Sequence, residues 1–123
     1  DKRFSPAAAL AIAHGIASAA SQLHARGIMH GDLYAHNILH CTQGRSLLGD
    51  FGAASFYDIA ATNAEQLQRL EVRAFGFLLE ELLTRCDSPP PAALAQLQEA
   101  CVHADSAARP LFASIAQQLA ELR

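Results

Sequence analysis

His30-Gly31-Asp32-Leu33-Tyr34-Ala35-His36-Asn37-Ile38-Leu39 is the stretch on which the reading turns. Its first part mixes histidine, glycine, aspartate and asparagine too densely for a regular element, so the composition predicts a loop over 28–37. Two short apolar runs follow, Ile38-Leu39 and Leu47-Leu48, separated by a Thr-Gln-Gly turn. They suit a small hairpin, too short to be stable alone. Thirteen residues after Asn37 stands Asp50-Phe51-Gly52, just beyond that hairpin. A carboxylate can orient a hydroxyl and an amide oxygen can hold a metal. Asp32 and Asn37 therefore put both capacities on one loop, with a second carboxylate, Asp50, behind it.

The flanking sequence is helical. Upstream, Ser5-Pro6 is a start signal, and Leu10, Ala13, Ala17, Ala20 and Leu23 recur at spacings of three and four as far as Arg26. Gly27 supplies the stop. Downstream, Asn63 with Gln66 three residues later resembles a capping box. It opens a second helix on which Leu67, Leu70, Ala74, Phe75, Leu78, Leu79, Leu82 and Leu83 cover a broad arc, which predicts the most buried helix of the chain. Pro89-Pro90-Pro91 ends the next connection. A third helix is expected over 92–104, a turn capped by Asp105 or Ser106, and a fourth from Leu111 to the end.

The loop and the Asp-Phe-Gly triplet, in that order and at that spacing, resemble the catalytic loop and metal-binding triplet of eukaryotic-type protein kinases. Residues 70–83 resemble that family's central helix, and 101–112 the turn into its last helix. These two segments point to the protein-kinase branch and extend the resemblance over nearly the whole chain. The implied fold is mainly α: a kinase-like C-terminal lobe of about four helices with a small β-hairpin beside the catalytic loop, residues 1–123 forming a partial domain without the N-terminal lobe. By the resemblance, Asp32 is the catalytic carboxylate, and Asn37 and Asp50 bind Mg2+ that bridges the phosphates of ATP. Leu39 forms the floor under adenine, backed by Leu78 and Leu82. His30, Phe51 and Gly52 align the site, Glu71 braces the catalytic loop from the central helix, and Arg109 pairs with a glutamate.

Several positions depart from that pattern. Gly31 replaces the arginine before the catalytic aspartate, which argues against switching by phosphorylation of an activation loop. Tyr34 replaces a lysine near the transferring phosphate and so removes electrostatic help. Only 20 residues separate Asp50 from Glu71, and no Ala-Pro-Glu closes the segment, so the peptide-binding platform is shortened. Glu71 keeps the charge of the family's aspartate with one more methylene. Arg109 lacks its usual glutamate, and Glu65 is the nearest acidic substitute in sequence. No glycine-rich strand-turn-strand and no strand lysine precede Phe4, although ATP positioning depends on both. The chain is therefore expected to be part of a larger protein. Its partners are expected to be the missing N-terminal lobe and a substrate or partner protein, with self-association through the exposed lobe interface.

Composition excludes other classes. The chain has 123 residues, 51% of them hydrophobic, enough for one modest core. A formal net charge of -3 and the absence of a polybasic run speak against nucleic acid and anionic membranes. The apolar stretch 7–20 is broken by His14, Gly15 and Ser18, short of a membrane helix. Cys41, Cys86 and Cys101 are too widely spaced for a disulfide framework or a zinc site, which suits a reduced, cytoplasmic setting. His24, His30, His36 and His40 lack companion ligands and are better read as ordinary loop and core residues, and Cys101 as a buried apolar one. Three functions stay open: a protein kinase-like phosphotransferase, a pseudokinase that binds a partner without chemistry, and a small-molecule kinase, the last prompted by His-Gly-Asp.

Overall fold

Four helices and one two-residue strand pair make up the architecture of the computed structural model, which describes residues 3–29, 55–56 and 64–123. In chain order they are α1 (Pro6–Ala25), β1 (Ile28–Met29), β2 (Ser55–Phe56), α2 (Ala64–Thr84), α3 (Ala92–Cys101), a 3-10 turn (Ser106–Ala108) and α4 (Phe112–Glu121). The mainly helical, kinase-like C-lobe expected from sequence is what forms.

Helix α1 begins where Ser5 Oγ accepts the amide of Ala8 at 3.1 Å, with Pro6 fixed in the first turn. Its small residues Ala9, Ala13, Ala17 and Ala20 are fully buried beside Leu10, Ile12 and Ile16, so neighbouring backbones can come close. Gly27 adopts φ 74° and donates its amide to His24 O at 3.1 Å, ending the helix. The chain then enters β1.

The strand pair differs from the sequence reading. Ile28 pairs with Phe56 and Met29 with Ser55, antiparallel, where a loop and a polar connection were expected. Two residues are too few to leave an alternating pattern. The expected hairpin at Ile38-Leu39 and Leu47-Leu48, and the Asn63 cap, lie outside the described residues.

Helix α2 is the central element, burying Val72, Phe75, Leu78, Leu79 and Leu82. Leu70, expected in its apolar arc, is instead 59% exposed, so the buried stripe is narrower than the sequence suggested. Phe4 closes the molecule against the end of α2. Its amide donates to Arg85 O and its carbonyl accepts from Asp87 N, both at 2.8 Å. Helix α3 stops at Cys101, short of the expected 104, because the His103 ring takes the amide of Asp105 at 3.0 Å and turns the chain. Asp105 then caps the 3-10 turn through the Ala107 amide, as expected.

Helix α4 lies chiefly on α1, and α3 chiefly on α2. Phe112 of α4 meets Phe75 of α2 edge-on at 5.4 Å, joining the two halves of the core. The α2–α3 approach needs Gly76, because a Cβ there would stand 2.5 Å from Val102 Cγ1 and 2.9 Å from Cys101 Cβ. We expect Gly76→Ala to cost about 1–3 kcal/mol of stability by overpacking, read as a lower urea midpoint; an unchanged midpoint would refute this account of the α2–α3 seam.

Candidate functional site

The strand pair determines where the motif residues leave and rejoin the folded body. Residues 30–54 depart from Met29 and return at Ser55, and those two are direct partners in the ladder. Strands in a ladder lie about 4.8 Å apart. In sequence, Asp32 stands three residues beyond Met29 and Asp50 five before Ser55. Asp32, Asn37, Leu39, Asp50, His30, Phe51 and Gly52 themselves lie outside the described residues. Leu78 and Leu82, expected to support Leu39, are fully buried in α2.

Beside the start of β1, the last turn of α1 carries a buried polar contact. His24 Nε2 lies 2.7 Å from Glu71 Oε1, with both side chains almost wholly excluded from solvent. Phe112 packs edge-on against the same imidazole at 5.2 Å. Glu71 is thus placed on the inner face of α2, aimed at the helix that feeds the motif loop. Sequence reasoning singled out Glu71 but missed His24 as its partner. The signal was present in the spacing: His24 stands four residues after Ala20 on the buried stripe of α1, and Glu71 interrupts the apolar stripe of α2. Two ionisable residues on two buried faces want each other.

Arg109 is also buried, but its partner is not the one expected. Glu65 accepts from Arg69 Nη1 at 3.0 Å, the neighbour one helical turn along α2. Arg109 donates instead to two carbonyls, Nε to His103 at 2.8 Å and Nη1 to Arg69 at 3.2 Å. Arg69 Nε returns a bond to Arg109 O at 2.9 Å. Glu65 therefore reaches Arg109 only through Arg69. The local i,i+4 pairing wins because it needs no long-range ordering.

Among the described residues no cluster of metal-binding side chains occurs, and no helix is long and apolar enough to cross a membrane. An apolar cleft of about 380 Å³ lies between Pro6, Ala7 and Leu10 at the start of α1 and Leu122 near the C-terminus. It lies at the end of α1 opposite the one that leads into β1. Cys101 is fully buried, and burial pushes its thiol from an ordinary 9.0 up to about 12. Such a thiol is packing, not a nucleophile.

A lipopolysaccharide kinase (Kdo/WaaP) family model matches residues 1–87, spanning α1, the strand pair and α2. The chain belongs to that family. A second likeness points to protein kinases: a stretch of 43 residues is 51% identical to the serine/threonine-protein kinase AtPK1/AtPK6 of Arabidopsis thaliana. That stretch is 35% of this chain and 9% of the plant protein, so the chain matches under a tenth of that relative's length. Both findings support the kinase-like C-lobe read from the motifs. In this Kdo/WaaP family member, α3 and α4 lie outside the matched span and complete the core.

Two expectations follow. Removing either partner of the His24–Glu71 pair, as His24→Ala or Glu71→Ala, should cost about 1–3 kcal/mol, since it deletes a hydrogen bond made out of water. The double variant should cost clearly less than the sum in denaturant titrations, and strict additivity would show the pair to be uncoupled. In a Cys41→Ser background, iodoacetamide at pH 8 should label half-buried Cys86 and leave Cys101 untouched until the protein unfolds. The sign of the pH effect follows from the raised thiol: the contribution of Cys101 to stability is intact below about pH 9 and drains as pH climbs toward 12, because the unfolded thiol ionises first. Rapid native labelling of Cys101 would refute its placement.

Proposed function

We propose that the intact protein is an ATP-dependent phosphotransferase that acts on a protein hydroxyl, with residues 1–123 supplying the lobe that carries the catalytic loop. The single observation that carries this reading is a kinase-like helical body in whose sequence Asp32, Asn37 and the Asp50-Phe51-Gly52 triplet fall, in the kinase order, between the paired strands β1 and β2. Asn37 and Asp50 offer an amide oxygen and a carboxylate, hard donors of the kind that Mg2+ accepts, leaving other positions for phosphate oxygens and water. When bound, Mg2+ neutralises charge on the phosphates of ATP. Asp32 accepts the proton of the acceptor hydroxyl and orients its oxygen toward the γ-phosphorus. The new P–O bond forms as the bond to the β–γ bridging oxygen breaks, and ADP leaves. Leu39 forms part of the adenine surface, while His30, Phe51 and Gly52 hold the loop and triplet in register. Glu71, held by His24, fixes the base of the loop.

The preference for a protein acceptor rests on α3, the 3-10 turn and α4, which continue the protein-kinase pattern through Arg109. A second reading has its own support. The family match and Gly31, at the start of His-Gly-Asp, favour the hydroxyl of a sugar such as those of lipopolysaccharide. Cytoplasmic residence fits the widely spaced thiols in either case.

The test uses the full-length protein with radiolabelled ATP and magnesium, offered a casein-type protein mixture in one arm and lipopolysaccharide in the other. Label in protein is expected. Label in lipopolysaccharide alone would move the substrate to the second reading. Asp32→Asn should lower transfer about a hundredfold or more while nucleotide binding persists, and equal turnover in both forms would remove Asp32 from the chemistry. ATP binding with no transfer to either acceptor would leave a pseudokinase module.

A further inference from the structure

We propose that Arg109 is the centre of an anion site on the face formed by α2 and the 3-10 turn, and that it receives a side-chain carboxylate from an acidic segment of a partner protein. Only 7% of Arg109 is exposed. Of the five N–H groups of a guanidinium, Nε is spent on His103 O and one of Nη1 on Arg69 O. The remaining three, on Nη1 and Nη2, have no protein acceptor among the described residues.

The charge itself is equally unmet. Ion pairs among the described residues join His24 to Glu71, Arg69 to Glu65 and Arg85 to Glu81, and none includes Arg109. Glu65 is drawn off by Arg69. Asp105 is committed to capping, accepting from the Ala107 amide at 3.1 Å. A buried lysine or histidine could shed its proton to escape this situation, but arginine stays charged. Arg109 Nη2 is not among the solvent-inaccessible unpaired atoms, so the unspent end of this largely buried guanidinium opens to the surface, where an incoming anion can replace water.

The site is also pre-organised. Two carbonyls grip the guanidinium from one side, and the bond from Arg69 Nε to Arg109 O locks its backbone at 2.9 Å. A planar group held this way presents a fixed fork that suits the two oxygens of a carboxylate. The clefts beside α1 are lined by other residues, and the surface at Arg109 is that of the turn itself. A polypeptide gains contact beyond the carboxylate, because His103, Asp105, Ala107 and Ala108 around the turn are exposed and available to flanking residues.

Fluorescein-labelled hexaglutamate is the probe, titrated by anisotropy against the full-length protein at low, constant ionic strength. The wild type should bind it, and Arg109→Gln should weaken binding by about tenfold or more. Glu65→Gln, an exposed change that preserves the fold, should tighten binding by a few fold by removing a nearby like charge. Circular dichroism checks that Arg109→Gln folds; if it does not, the Glu65→Gln comparison decides alone, and unchanged affinity there overturns the site. No binding by the wild type, or equal binding by folded Arg109→Gln, overturns it as well. Displacement of the peptide by inorganic phosphate at concentrations where acetate is inert would overturn the carboxylate assignment in favour of phosphate.

Discussion

The seam between α1 and α2, ending in the His24–Glu71 contact, is the constraint from which the rest of the molecule is positioned. Buried alanines along α1 let neighbouring helices come close, and at its last turn an imidazole and the Glu71 carboxylate of α2 meet at 2.7 Å out of water. Buried polar groups are tolerable only when matched, so this contact fixes rotation and height of one helix on the other in a way apolar packing alone does not. Three residues after His24 the chain turns at Gly27, and β1 follows at once. The seam therefore decides where β1 begins. Glu71 in place of aspartate adds a methylene, and His24 supplies the fixed point that keeps the longer side chain in place.

Helix α2 performs a different task on each of its faces. One side carries Glu71 toward α1. Another carries Gly76, whose missing side chain admits Val102 and Cys101, while Gln98 Nε2 donates to the freed Gly76 carbonyl at 3.2 Å. The exposed side leaves Leu70 uncovered and holds Phe77 under the Arg73 guanidinium, 4.9 Å from the ring centroid. Near its start, Arg69 ties the helix to the 3-10 turn. A helix loaded in this way has little freedom to shift, which suits an element from which a catalytic loop is braced.

Much of this organisation was legible in the sequence because it rests on local rules. Ser5-Pro6 and Gly27 bounded α1 almost to the residue, since caps and left-handed glycine act within one turn. Asp105 announced its turn for the same reason. What the sequence did not disclose depends on distant partners. The β1–β2 ladder joins residues 28 and 56 through two-residue strands with no periodicity to detect. His24 and Glu71 are 47 positions apart, and each alone reads as an oddity on an apolar face. Glu65 matches Arg109 by nearness in sequence and by charge, which takes no account of competition. Arg69, one turn away, is the stronger claimant, and no argument about Arg109 alone would have found it. The end of α3 was misjudged because His103 uses its ring, not its backbone, to redirect the chain. Of the candidate site, the motif was readable, while Asp32, Asn37 and Asp50 fall outside the described residues.

The limits of the family match have a structural meaning. The matched span runs to residue 87, and that is where Asp87 N donates to Phe4 O and closes the N-terminal segment onto the end of α2. The span is thus bounded by its own backbone contact, yet its core is not finished. Phe112, outside the match, inserts between His24 and Phe75 with edge-on contacts to both rings, and Leu94, Leu97 and Ile115 cover the outward sides of α2 and α1. Without them the seam that holds Glu71 would face water, and a polar contact is stronger where water is excluded. The segment beyond the family core is therefore part of what gives Glu71 its low-dielectric setting. The His24–Glu71 contact depends on α4 as directly as on the two helices that carry the pair.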